Sequence, residues 1–363
     1  MMKYIFYNFN LPRSDLYELI RSRYSIDSVE CISLVNSRKI SFIARFMLTL
    51  VSPFHFICIL ISNLGRPVHI IFLTQPPLFQ PIYASIASIF GYEFSILIYD
   101  YYLSIFSLSK HPFLRFLSNL FRSLWSTFLL RCRHVFVLSL SMKSLVKSSL
   151  GPNYVHHLAF FPVDLSSHFL YDCFKFPISF YLNAPKEYDI CYVGSFSSPH
   201  SVHGFICLID VLPFSSQILI SESVFNELRQ LHPFVRQSLN CYKFNEHYFT
   251  VLPYLSPSSY KSEVLKSKIG FVSLKSNYTG VCYPSRVFTY LELGIPVFFD
   301  GNKESIDSLL SRNEMGIEVD VLNTPPEQLA ECLHLLFSNP DYPINALNYI
   351  SGASSKSPLP LFN

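Results

Sequence analysis

Charge is scarce in this chain of 363 residues. Asp, Glu, Lys and Arg make up 15% of it and hydrophobic residues 50%, against the roughly one quarter charged that is usual in soluble domains. That balance excludes a disordered chain and leaves apolar surface to be covered by a partner or a membrane. The net charge of +3 is too small to argue for nucleic acid. Acidic residues are missing altogether from Tyr101 to Val163, while Lys110, Arg115, Arg122, Arg131, Arg133, Lys143 and Lys147 fall in the same span. The field there is positive and suits phosphates or anionic lipids. The nine cysteines include no Cys-x-x-Cys, which excludes a disulfide framework and fits free thiols in a reducing cytoplasm. The twelve histidines are thinly spread, so no metal site is expected. No Walker loop, Gly-x-Gly-x-x-Gly, His-Glu-x-x-His or internal repeat is found. The longest apolar region, Phe46–Ile61, is shorter than a span and carries Pro53 and His55, so it reads as a buried or interfacial helix. Met1–Asn10 reads as a strand rather than a leader.

What is present is alternation. Strands are predicted at Lys3–Tyr7, Cys31–Val35, Val68–Leu73, Phe94–Tyr99 and His134–Leu138, with helical segments at Ser41–Leu64, Leu78–Phe90, 111–130 and Ser139–Leu150. That order predicts a doubly wound parallel sheet. The length suits two such domains: 1–170, a linker over 171–187 read as irregular, 188–340, and a Pro- and Ser-rich tail over 341–363 without a good helix. Ligands of such sheets bind beyond the carboxyl ends of the strands. The loop Thr74–Pro77 and Asp100 are therefore cleft candidates, although Asp100 also reads as a plain turn or cap residue. The helix over 111–130 has a broad apolar stripe with Arg115 and Arg122 off it. It either packs on the sheet or lies in a membrane interface.

The most informative stretch is Val264–Glu304. Ile269–Leu274 and Ile295–Phe299 read as buried parallel strands. The loop Lys275–Cys282 and a helix of about ten residues, started by Pro284 and stopped by Gly294, lie between them. A helix N-terminus beside Ser285, Arg286 and Lys275 is a suitable seat for a diphosphate. An ordinary well-capped strand–loop–helix–strand unit has the same pattern.

The run YPSRVFTYLELGIPVFF resembles the donor-binding segment of family 4-like GT-B glycosyltransferases. Pro284, Ser285, Phe288, Tyr290, Leu291, Gly294, Pro296 and Val297 fit its pattern, and Arg286 stands where a Lys is usual. Thr289 and Val281 stand where the family places Glu, and Glu292, one turn after Thr289, faces the same groove on a helix. VFVLSLSMKSLVKSSLG resembles the strand-and-Ser turn that closes the family's first domain. Tyr188–Val193 with Gly194-Ser195 resembles the first strand of its donor domain, although His200 and His203 stand where basic residues are usual there.

The resemblance implies an α/β fold of two Rossmann-like doubly wound parallel-sheet domains facing a cleft. It implies transfer of a hexosyl-type sugar, without a metal and with retention, from a nucleotide-diphosphate sugar to a saccharide or lipid-linked acceptor. The nucleotide sugar is then a co-substrate and no cofactor is needed. Gly194, Ser195, Gly280, Tyr283, Pro284, Ser285, Thr289 and Glu292 would bind the donor, Lys275 and Arg286 would neutralise the leaving diphosphate, and Asp100 would orient the acceptor hydroxyl. Composition and resemblance together imply a cytoplasmic protein, in peripheral contact with an anionic membrane. The absent Glu pair keeps open a second class, a GT-B-like binding protein without activity. A sugar-nucleotide epimerase is a third, for which no carboxylate and His cluster can be assembled.

Overall fold

The computed structural model describes residues 3–10, 29–35, 42–73, 80–98, 100–150, 158–160, 177–194, 199–253, 255 and 257–355. The expected Thr74–Pro77 loop and Ser195 lie outside the described residues. The chain forms two compact units. The first comprises Met1–His168, Gly280–Tyr283 and Ser357–Asn363; the second comprises Phe169–Thr279 and Pro284–Lys356.

The first unit holds β1 (Lys3–Asn10), β2 (Val29–Val35), α1 (Phe42–Ser62), β3 (Val68–Leu73), α2 (Gln80–Ile89), β4 (Glu93–Ile98), α3 (Tyr102–Leu108), α4 (Pro112–Arg131), β5 (Val135–Val137), α5 (Leu140–Leu150) and β6 (Leu158–Phe160). Its sheet runs β2-β1-β3-β4-β5-β6, with every pair parallel. Short apolar runs buried on both faces are what a parallel sheet requires; Ile70, Phe72, Ile96, Ile98, Val135 and Val137 supply one face and Ile71, Leu97 and Phe136 the other. Phe56 of α1, Tyr83 of α2 and Phe128 of α4 close on Phe72 with ring centroids 5.8, 6.4 and 6.2 Å away. These three helices therefore cover one face of the sheet. Pro53 lies inside α1, and among the described residues no helix is long and apolar enough to cross a membrane. The helix α3 had no counterpart in the sequence reading.

The second unit holds α6 (Ile178–Leu182), β7 (Tyr188–Tyr192), α7 (Val202–Ile209), β8 (Gln217–Ser221), α8 (Glu222–Leu231), β9 (Val235–Arg236), β10 (Cys241–Phe244), β11 (His247–Leu252), α9 (Pro257–Leu265), β12 (Ser267–Ser273), α10 (Arg286–Leu291), β13 (Val297–Asp300), α11 (Leu309–Arg312), β14 (Gly316–Val319), α12 (Pro326–Ser338) and α13 (Asp341–Ser355). Its sheet runs β14-β13-β12-β7-β8-β11-β10-β9. The strands from β14 to β11 pair in parallel; β10 and β9 add an antiparallel edge. That hairpin departs from the purely parallel expectation. β10 joins β11 through Asn245 in the left-handed region at φ 50°, and Tyr242 of β10 packs on Phe225, centroids 4.4 Å apart.

Two expectations need correction. The linker contains α6, whose Tyr181 is buried. The tail, read as lacking a good helix, contains the 15 residues of α13. Its Pro- and Ser-rich composition argued against a helix, but Pro343 falls in the first turn, where a Pro breaks no intrahelical bond, and Tyr342, Ala346, Leu347 and Ile350 bury one face at helical spacing. The Asn339 side chain accepts from the Asp341 amide at 2.9 Å and starts the helix.

Candidate functional site

In the second sheet the strand order reverses about β7: β8 follows on one side and the later β12 lies on the other. Crevices at the carboxyl ends of such a switch point are where doubly wound sheets bind ligands. The residues gathered there come from the loops after β7 and β12 and from α10.

Tyr290 fixes α10 in place. Its ring lies over Gly270, where an added Cβ would fall 2.4 Å from the ring carbons. Its hydroxyl accepts from the Val193 amide at 3.3 Å and lies 3.4 Å from the carbonyls of Cys191 and Phe271. One side chain thus ties α10 to β7 and β12 together. At the other end, Gly294 takes φ 63°. The Ile295 amide donates to the Tyr290 carbonyl and the Gly294 amide to the Leu291 carbonyl, both at 3.0 Å; this pair of bonds is the Schellman stop. The helix is shorter than expected, six residues with Ser285 as N-cap, because Pro284 and Ser285 form only its entering turn.

The first residue of that helix is Arg286. Its guanidinium lies on the bare backbone of Gly194, where a Cβ would fall 2.6 Å from Nε. Gly194 has φ 116°, a conformation open to glycine. Its carbonyl accepts from the hydroxyls of Ser221 at 2.6 Å and Ser223 at 2.7 Å. Among the described residues Nη1 of Arg286 is buried and has no hydrogen-bond partner. A buried donor without an acceptor is costly, and an anion at this place relieves the cost.

Ser273, at the end of β12, is fully buried. Its hydroxyl accepts from the Ser201 amide at 3.0 Å and lies 2.9 Å from the Tyr192 hydroxyl, which itself lies against Arg286. Its carbonyl accepts from Nδ1 of His200 at 2.6 Å, so the His200 proton sits on that nitrogen. Burial, then the positive charges of Arg286 and Lys275, hold His200 down to about 4. His200 is therefore neutral at pH 7. Lys275 is exposed, with its amide bonded to the Pro199 carbonyl at 2.9 Å. Of the residues expected from the sequence, the structure brings Gly194 and Arg286 into contact and Lys275 near them through His200; Ser221, Ser223, Ser273 and Tyr192 were not expected, because they join this cluster only through tertiary hydrogen bonds. His200 was noticed only as a weak substitute for a basic residue.

The other expected residues distribute differently. Pro284 is buried, Ser285 exposed and Thr289 half-buried. Glu292 follows the last helical residue and is 2% exposed. Gly280 and Tyr283 belong to the first unit. There Gly280 abuts the Ser141 carbonyl, 2.8 Å from an added Cβ, and Cys282 forms an antiparallel bridge with Asp100. The Tyr101 amide donates to the Val281 carbonyl at 2.8 Å. Burial raises Asp100 above the usual carboxylate range, opposed by its hydrogen bond with the Cys282 thiol. A shallow cavity of about 340 Å³ in the first unit, lined by Arg66, Val68, Tyr92 and Glu93, opens at the amino ends of β3 and β4, the wrong end for a doubly wound ligand site.

Beside the cluster, Asp300 ends β13 with its carboxylate against the backbone of Gly204, 2.0 Å from where a Cβ would stand. Oδ1 accepts from the Val321 amide at 3.1 Å. Burial raises Asp300 to about 6. A carboxylate raised in the fold contributes stability at low pH and loses it as pH climbs through 6. Asp300→Asn is therefore expected to be more stable than wild type at pH 7.5, by on the order of 2 kcal/mol, and no more stable at pH 4. His69 and His200, both depressed to about 4, act in the opposite direction between 4 and 6.5. The readout is thus the variant-minus-wild-type difference in denaturant unfolding across that range. A difference that stays flat with pH would refute the assignment.

No family model and no curated protein sequence matches the chain. Solved structures do match in fold. Sucrose-phosphate synthase from Thermosynechococcus elongatus superposes with a TM-score of 0.61 at 10% identity, over 96% of this chain and 94% of that one. Anabaena HepE in complex with UDP-glucose gives 0.60 at 11% identity over 99% and 96%. The DNA-modifying beta-glucosyltransferase, solved with and without uridine diphosphoglucose, gives 0.52 at 13% identity over 98% and 96%. The chain has the fold of these proteins, the GT-B fold of glycosyltransferases.

Proposed function

We propose that this GT-B protein is a glycosyltransferase whose second unit binds a nucleotide-diphosphate sugar, with a UDP-sugar as first candidate. The observation that carries the reading is the buried Nη1 of Arg286, without a hydrogen-bond partner among the described residues and held over a bare glycine at the switch point of the second sheet. A diphosphate supplies the acceptor that this donor lacks. Lys275 and Arg286 would neutralise the charge that develops as the glycosidic bond breaks, without recourse to a metal. Asp100, on the first unit, would orient the acceptor hydroxyl. The acceptor in this reading is a saccharide, free or carried on a lipid at the cytoplasmic face of a membrane, and transfer is with retention. The UDP and UDP-glucose complexes of HepE support the choice of donor.

A second reading, a GT-B-like binding protein without turnover, is favoured by one group of observations. Thr289 and Val281 stand where the resemblance places Glu, and Glu292, the remaining acid of the segment, is buried in the turn after α10.

Thermal unfolding against UDP, GDP, dTDP, ADP and CMP tests the donor site. A ligand at about 100 times its Kd adds roughly 2.7 kcal/mol to the native state, so UDP is expected to raise the midpoint visibly. Absence of any shift in a folded sample removes the donor reading. A shift without hydrolysis or transfer of any supplied sugar nucleotide favours the second reading.

A further inference from the structure

The helices that cover one face of the first sheet are apolar on their outer side as well. Phe56, Tyr83 and Phe128 point inward from α1, α2 and α4 and all meet Phe72. Outward, Phe54 of α1 is 70% exposed, Ile89 of α2 82% and Phe116 of α4 61%. Along α4 the exposed Phe113, Phe116, Leu120 and Leu124 recur every three or four residues, so they form one stripe. The buried Ser118, Trp125, Phe128 and Leu129 form another. A helix needs one apolar stripe to pack on a sheet; among the described residues the second has no covering element.

Charge identifies what covers it. The helices α1, α2 and α4 contain no Asp, Glu or Lys, and their charged residues are all arginines. Arg115, Arg122 and Arg131 of α4 are exposed. A protein partner meets an apolar patch framed by a rim of mixed polar groups. Apolar anchors with charge of one sign are what an anionic lipid interface requires, since aromatic and aliphatic groups enter the acyl boundary while cations meet the headgroups.

We propose that the outer side of α1, α2 and α4 docks the protein on an anionic lipid bilayer, with α4 lying in the interface plane. This supplies the membrane contact of the transferase reading, yet it is measured without any transfer, so failure of either is seen separately. The experiment is flotation of the full chain with vesicles of phosphatidylcholine alone or with phosphatidylglycerol added. Flotation is expected only with the anionic vesicles, weakening at 1 M salt, where the screening length falls to about 3 Å. Reversing Arg115, Arg122 and Arg131 to Glu is expected to lower partitioning about 100-fold, and Phe113→Ser, Phe116→Ser and Leu124→Ser together to abolish it. All six side chains are exposed. Trp125, the chain's one tryptophan and 3% exposed, reports by its emission that each variant is folded. The proposal is overturned if the wild type stays in solution with anionic vesicles, or if both variant sets float as well as wild type. A concentration-dependent dimer that the serine variant abolishes would overturn it too, by assigning the face to a second copy of the chain.

Discussion

Arg286→Ala is expected to lower glycosyl transfer by about 100- to 1,000-fold, the range found when a preorganised donor to developing charge is removed, and to erase the thermal shift produced by UDP. The unliganded protein should not lose stability. Among the described residues Nη1 is buried without an acceptor and no carboxylate pairs with the guanidinium, so its removal relieves a costly unsatisfied donor while giving up the contact with the Tyr192 hydroxyl. Unchanged or raised melting beside lost activity is the pattern of a residue held strained for function, and a structural arginine would give the reverse. Arg286→Lys keeps the charge but not the planar fork and should recover only part of the activity. Full transfer by Arg286→Ala would remove the diphosphate assignment altogether.

Gly270→Ala is expected to be the most damaging of the conservative changes near the site. The new methyl would stand 2.4 Å from the Tyr290 ring carbons, and that ring is fully buried. Gly270 itself is fixed between Cys191 of β7 and Val297 of β13, so the ring must give way and take α10 with it. Overpacking of this kind costs about 1–3 kcal/mol, which for a chain of this size lowers Tm by about 1–4 °C. Because Arg286 opens the same helix, the response to UDP should weaken in the same variant. Tyr290→Leu relieves the clash, so the two substitutions together should cost less than the sum of each alone. Strictly additive costs would show that the ring is not what Gly270 accommodates.

The residues most readable in the sequence were those whose signal is local. Gly294 announces a helix stop because a left-handed residue is needed there, and the β-branched runs about Phe271 and Phe298 announce parallel strands. Gly194 and Arg286 stood out separately in the sequence as candidates, but their stacking did not, since no pattern joins positions so far apart in the chain. The same holds for Ser221 and Ser223 on the Gly194 carbonyl and for Asp300 against Gly204. The helix α13 is hidden for a different reason: the Pro- and Ser-rich composition of the tail masks the helical spacing at which Tyr342, Ala346, Leu347 and Ile350 are buried. For 111–130 the packing alternative accounts for the buried stripe; a periodicity count sums over the helix, while burial separates that stripe from the exposed one.

The short antiparallel strands at the rim of the second sheet bear on how the protein behaves at high concentration. Without them β11, with Val251 and Leu252 buried, would end the parallel sheet as an open row of amides and carbonyls, a template for another chain to extend. With them the exposed border is only Val235 and Arg236, too brief for a neighbour to register against and charged at one of its two positions. Deleting β9 and β10 is therefore expected to open β11 to edge-to-edge pairing with another chain, read as aggregation that rises with concentration.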